Sequence, residues 1–184
     1  MEYMFNCCYT LTSVNLANIN TNKVTNMKYM FCDCKILNIV NLGDTFDFSS
    51  VTDMSYMFSN CQLLSEITLI NLNSETKIKY MNSMFYNCQQ LTNINLNFDA
   101  SNVINMEQLF RGCKNLVSLN LTNLKTNSLE KMNNMFTGCT QLTYLNLCNF
   151  NTINVTSMQG LFSGLEALTY LNIDNFNTSN VNNM

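Results

Sequence analysis

The sequence predicts an α/β repeat solenoid, with a parallel β-sheet on one face and short helical turns on the other. Three observations predict it. One unit of 25–27 residues recurs along all 184 residues; each unit carries a helical hydrophobic period; and each follows it with a strand-like one.

The recurrence is read from the methionines at Met1, Met27, Met54, Met81, Met106, Met132, Met158 and Met184. They divide the chain into 1–26, 27–53, 54–80, 81–105, 106–131, 132–157 and 158–183, a single solenoid expected to be a fragment of a longer repeat array. The fifth position is always Phe (Phe5, Phe31, Phe58, Phe85, Phe110, Phe136, Phe162). The eighth is Cys8, Cys34, Cys61, Cys88, Cys113 and Cys139, then Leu165. Random composition does not hold an aromatic in fixed register through a whole chain. Length changes fall after the strand, as at Gly43–Asp47.

The first half of each unit places Met, Met or Leu, Phe and Cys at i, i+3, i+4 and i+7, as in Met81, Met84, Phe85 and Cys88. That stripe predicts one or two helical turns with a single buried face. Asn26, Asp53, Asn105, Ser157 and Asn183 stand just before a methionine, where a side-chain oxygen caps helix amides. The next half alternates apolar and polar residues, as in Leu142-Thr-Tyr-Leu145-Asn-Leu147, and predicts a short strand with Leu145 and Leu147 inward. The F-N-T-x-x-V return is turn chemistry with one buried aliphatic.

A single helix-plus-strand unit cannot bury its apolar face, so neighbouring units must stack, with strands about 4.8 Å apart in one parallel sheet. Ladders of Phe, Met, aliphatic and Cys side chains would form the core. Helical segments are wider than strands, which would curve the stack with the sheet on its inner face.

The spacing L-x-x-L-x-L-x-x-F matches the leucine-rich-repeat signature. More closely, M-F-x-x-C-x-x-L-T-x-L-N-L-x-x-F-N-T-S-N-V resembles the BspA-like repeats of bacterial and protist surface proteins, including mycoplasma-type lipoproteins. The resemblance runs from Met1 to Met184. It implies a cell-surface or secreted protein engaged in adhesion or host interaction, often as part of a longer chain.

Composition narrows the function classes. Only 11% of residues are charged and the net charge is -3, so the cationic footprint needed to neutralise nucleic-acid phosphates is missing. No 18-residue apolar run signals a membrane span, and the start, MEYMFNCCYT, lacks the pattern of a signal peptide. With 0 His there is no Ser-His or Cys-His pair, and no cofactor or metal is called for. Glu66 and Asp174, the outward carboxylates of the sheet, lie four strand spacings apart, about 19 Å, too far for paired acid–base work. Asp44 and Asp47 belong to a solvated turn. Six of the nine cysteines occupy the repeat position and behave as small buried hydrophobes, while Cys7, Cys32 and Cys148 fall off it, with Cys7 and Cys32 pointing outward. An enzyme is not expected.

A binding surface is expected on the outward sheet face. Asn15, Asn41, Thr68, Asn95, Asn120, Asn146 and Asn172 form a polar row between the buried aliphatics. Either they hydrogen-bond one another along the ladder or they meet a repetitive partner, a glycan or an extended peptide. Tyr144 and Tyr170 should be adjacent, with Asp174 nearby, and exposed tyrosines anchor ligands by burying a large area with a polar tip. The candidate ligand-binding residues are therefore Tyr144, Tyr170, Asn120, Asn146, Asn172 and Asp174. The alternative is a spacer or stalk without a ligand of its own. Glycosylation patterns at Asn120, Asn154 and Asn177 are expected by chance in so Asn-rich a chain. Apolar end faces predict end-to-end self-association.

Overall fold

A computed structural model describes residues 1–69, 72, 76–96, 98–121 and 123–184. The chain winds as a solenoid around one continuous core. Six three-residue strands line one face: β1 (Ser13–Asn15), β2 (Ile39–Asn41), β3 (Asn93–Asn95), β4 (Ser118–Asn120), β5 (Tyr144–Asn146) and β6 (Tyr170–Asn172). They pair in parallel as β1 with β2, β3 with β4 and β5 with β6. The expected single sheet is thus three two-stranded pieces, and 66–69 join no ladder.

The expected helical turns are absent among the described residues, and the backbone gives the reason. The third and seventh residues of each unit, with Met as the first, take positive φ: Tyr29 (57°) and Asp33 (61°), Ser83 (55°) and Asn87 (57°), Gly160 (63°) and Gly164 (73°). An α-helix needs φ near −63°, so two left-handed residues in a stretch of eight forbid it. Amides instead alternate in direction. Met84, Tyr86 and Cys88 donate within the coil to Met81, Ser83 and Phe85, closing tight turns, while Ser83, Phe85 and Asn87 donate to Glu107, Leu109 and Arg111 of the next coil at 2.7–3.0 Å. The i, i+3, i+4, i+7 stripe is buried all the same: Met81, Met84, Phe85 and Cys88 are each 0% exposed.

A helix cannot serve here because it is about 10 Å wide, twice the strand repeat. Tandem turns are as thin as strands. Ring centroids stand 4.8 Å apart for Tyr3 and Tyr29 on the turn face and 4.6 Å apart for Tyr144 and Tyr170 on the strand face. This thinness removes the wide helices from which the curvature was expected. It also lets the seven Phe rings stack in one spine, nearly parallel, at 5.2–6.4 Å.

Side-chain oxygens and sulfurs stitch the coils. Cys34, Cys61, Cys88, Cys113 and Cys139 donate their thiols to the Phe carbonyl of the preceding coil at 3.0–3.2 Å. Thr152 is fully buried, and its hydroxyl both donates to the Asn177 carbonyl (2.9 Å) and accepts from the Asn177 amide (2.7 Å). The residues read as helix caps do cap, at a turn: Asn26, Asp53 and Asn105 accept from the amide two residues on at 2.8–2.9 Å. The positions from Asn26 through Asp53, Tyr80 and Asn105 to Lys131 also form a line of parallel bridges.

Candidate functional site

The outward face of β5 and β6 holds the tyrosine pair. Parallel register sets Tyr144 opposite Tyr170, Leu145 opposite Leu171 and Asn146 opposite Asn172. Period-two alternation turns Leu145 into the core and both tyrosines into solvent, where they remain 52% and 44% exposed. The rings stack at 4.6 Å with 4° between planes, so each shields one face of the other and presents its edge and hydroxyl outward.

Four asparagines of the outward row use their side-chain oxygens locally instead of along the ladder. Asn15, Asn41, Asn146 and Asn172 each turn Oδ1 back to accept the amide two residues on, at Ala17, Gly43, Cys148 and Asp174, at 3.0–3.1 Å. These turns end the strands. The Nδ2 groups of Asn146 and Asn172 make no hydrogen bond among the described residues and flank the tyrosine pair as donors. Asn120 is exposed on β4, opposite Asn95, in a ladder separate from β5. Asp174 follows β6, exposed, with its amide held by Asn172 and its carboxylate in no ion pair or hydrogen bond among the described residues. The structure therefore brings Tyr144, Tyr170, Asn146 and Asn172 together and leaves Asn120 and Asp174 at the borders.

Asp47 accepts the amide (2.7 Å) and hydroxyl (3.0 Å) of Ser49 within a turn. All nine cysteines are free thiols, and among the described residues no three His, Cys, Asp or Glu side chains gather. Cys7 is exposed, but Cys32 corrects the expectation: it is 6% exposed, with its thiol 3.3 Å from Asp33 Oδ2. Burial, followed by the Asp33 contact, pushes the Cys32 thiol up to about 12. Burial likewise lifts Cys34 to about 11 and Cys139 to about 12.

Two features escaped the sequence reading. Tyr3, Tyr29 and Tyr56 stack on the turn face at 4.8 and 4.7 Å, with Lys28 Nζ 5.3 Å from the Tyr29 ring. Their recurrence as the third residue of three successive units was a visible signal. The second feature is a cleft of about 300 Å3 on the strand face beside β2. Among the described residues, no helix is long and apolar enough to cross a membrane.

Comparison with known proteins agrees with this geometry. Residues 1–93 and 79–184 both match the family described as "Mycoplasma protein of unknown function, DUF285". A leucine-rich repeat protein from Bacteroides ovatus ATCC 8483 superposes with a TM-score of 0.64 at 22% identity, over 93% of this chain and 39% of that one. A leucine-rich repeat protein of T. pallidum gives a TM-score of 0.45 at 21% identity, over 77% of this chain and 69% of that one. No curated protein sequence matches. The chain spans well under half of the Bacteroides protein, whose likeness establishes a leucine-rich-repeat fold. With both halves matched and the same repeat throughout, the chain belongs to the mycoplasma protein family DUF285, built of BspA-like leucine-rich repeats.

Proposed function

We propose that this chain is a non-enzymatic binding module of a cell-surface protein, taking part in adhesion through a protein or glycan ligand held on the outward sheet face. The observation that carries the reading is the Tyr144–Tyr170 stack, two large side chains left half in solvent on a rigid strand pair. Aromatic rings already ordered by one another lose little entropy on binding, and the Asn146 and Asn172 amides supply donors beside them. A longer array of the same coils would repeat such a surface. Where no further coil covers Phe5 and Phe162, the half-buried end faces also favour end-to-end association.

The test is a screen of the 184-residue chain against arrayed glycans and extracellular-matrix proteins, followed by Tyr144→Ala with Tyr170→Ala. Lost capture with unchanged circular dichroism supports the site. Unchanged capture removes it.

A second reading, a spacer whose coils only set length, is favoured by one observation: the strand asparagines spend Oδ1 on strand-ending turns. Deleting Met106–Lys131, one complete coil without the tyrosines, should then leave function intact.

A further inference from the structure

The second and third coils are joined along the turn face, whereas on the strand face they meet at the entry to β2, where the Ser65 hydroxyl donates to Asn38 Oδ1 at 3.3 Å, and share no ladder beyond it among the described residues. On the turn face Phe31 and Phe58 stack at 5.3 Å, and Tyr29, Phe31 and Asp33 donate to Ser55, Met57 and Ser59 at 2.8–3.0 Å. On the strand face β2 pairs with β1 alone. Where strands of neighbouring coils pair, Leu16 donates to Asn41, Leu96 to Asn120 and Leu147 to Asn172, at 2.8–3.1 Å. The equivalent amides of Leu42, Leu69 and Leu121 have no acceptor among the described residues, and that of Leu42 is the one beside the cleft. Because Asn41 faces β1, alternation turns the main chain of Val40 and the Leu42 amide toward the third coil.

The two coils that flank the opening differ from the others. Coils 27–53 and 54–80 are the longest in the chain. Where Thr21, Thr126 and Thr152 put a small buried hydroxyl, the second coil buries Phe48, packed against Phe46 at 5.1 Å in the return after β2. The cleft, about 300 Å3, is lined by Ile39, Val40, Leu42, Asp44, Glu66 and Thr68.

We propose that this cleft binds an extended segment of a partner protein carrying a lysine or arginine, which adds as a strand to the open edge of β2. An unpaired strand edge offers main-chain hydrogen bonds in register, the basis of recognition by strand addition. Charge selects the sequence: Glu66 is exposed at the lip and makes no ion pair among the described residues, and Asp44 is also acidic and exposed. Ile39, 60% exposed at the rim, offers an apolar contact to an alternating side chain. The site lies at the opposite half of the solenoid from the tyrosine pair and does not depend on it.

The probe is an acetylated, amidated hexapeptide of alternating valine and lysine, titrated into the 184-residue chain and followed by amide NMR and hydrogen exchange. The Leu42 amide should exchange faster than those of Leu16, Leu96 and Leu147 in the free chain and slow down on binding. N-methylation of the peptide amides facing β2 should weaken binding about tenfold, the order of one lost main-chain hydrogen bond plus a clash, while methylation of the alternate amides should not. Glu66→Gln should weaken it roughly two- to fivefold, and a valine–glutamate peptide should not bind. Tyr144→Ala with Tyr170→Ala should leave it unchanged, so this site and the tyrosine site fail separately. A Leu42 amide already protected in the free chain, equal effects of the two methylation patterns, equal binding of the acidic peptide, or loss of binding in the tyrosine variant would each overturn the proposal.

Discussion

The thiol of Cys88 donates to the carbonyl oxygen of Phe58 in the preceding coil, 3.1 Å away, while the Cys88 amide donates to Phe85 in its own coil at 3.2 Å. The carbonyls of Phe5, Phe31, Phe58, Phe85, Phe110 and Phe136 thus each take an amide from within the coil, and all of these but Phe136 also take a sulfur from the next. Cysteine fits because it is small, apolar and able to donate weakly. Cys88→Ala should cost about 1–2 kcal/mol, from the cavity and the lost contact together. Urea unfolding checks it, and a neutral result would make the sulfur row dispensable filler. Leu165 replaces the thiol in the last coil, so Cys139→Leu, which stands beside it, should cost less than Cys88→Leu, which has a cysteine in both neighbouring coils.

Burial of the same sulfurs predicts pH dependence. Their folded pKa values lie above the ordinary value near 9, at about 11 for Cys34 and about 12 for Cys32 and Cys139, with burial the first cause in each. The neutral thiol is the form the fold holds, so its contribution is complete below pH 9, where the unfolded thiols are also neutral. Above that the unfolded chain loses protons first, and stability falls as pH rises from about 9 toward 11–12. Denaturant midpoints across that window should decline. Iodoacetamide at neutral pH should modify Cys7 and spare Cys61, Cys88 and Cys113, whose thiols burial also pushes well up.

Left-handed backbone in the turn segment gives a sharper test. Gly138 has φ of 74°, and an added Cβ would meet nothing closer than 3.9 Å. Space is therefore not the issue, only handedness. Gly138→Ala should cost about 1–2 kcal/mol, and Gly138→Asn less, since asparagine tolerates this region. Thermal unfolding that ranked alanine level with asparagine would separate the turns from the φ argument.

How much of this was legible in the residues divides along physical lines. The Phe spine, the buried Cys row and the Tyr144–Tyr170 adjacency followed from period alone, because stacking identical units forces identical neighbours. The helix did not follow. A stripe at i, i+3, i+4 and i+7 records which side chains are buried and says nothing of the sign of φ. The missing clue stood at the seventh residue of each unit: Asp33, Asn60, Asn87, Gly112, Gly138 and Gly164 are residue types that accept positive φ, and only Cys7 departs. The third residue carried no such clue, since Tyr29 and Gln108 are held left-handed by bonds between coils. The cleft beside β2 was not legible either, because it lies between two coils and depends on how their strand segments pack.

Asparagine abundance hid a second relationship, between Thr152 and Asn177. Of the 34 asparagines, Asn146 at a strand exit, Asn151 in a return and Asn26 at a turn entry each use Oδ1 to cap the amide two residues on. In the return, buried threonines join the coils from the inside, beside the exposed Nδ2 groups of Asn154 and Asn180, which donate to the preceding coil. The Thr152 hydroxyl bonds both the carbonyl and the amide of Asn177 while its methyl group packs in the core, acting as a strand would where no strand exists. Thr126 does the same to Asn151, at 3.2 and 2.9 Å. Thr152→Val keeps shape and volume but leaves two main-chain groups without their partner, which should cost about 1–3 kcal/mol. Thr152→Ser keeps the hydroxyl and should lose only a methyl group's packing, about 1 kcal/mol. If valine proved as stable as threonine in urea, the hydroxyl would not be what binds the returns, and packing alone would hold the coils together.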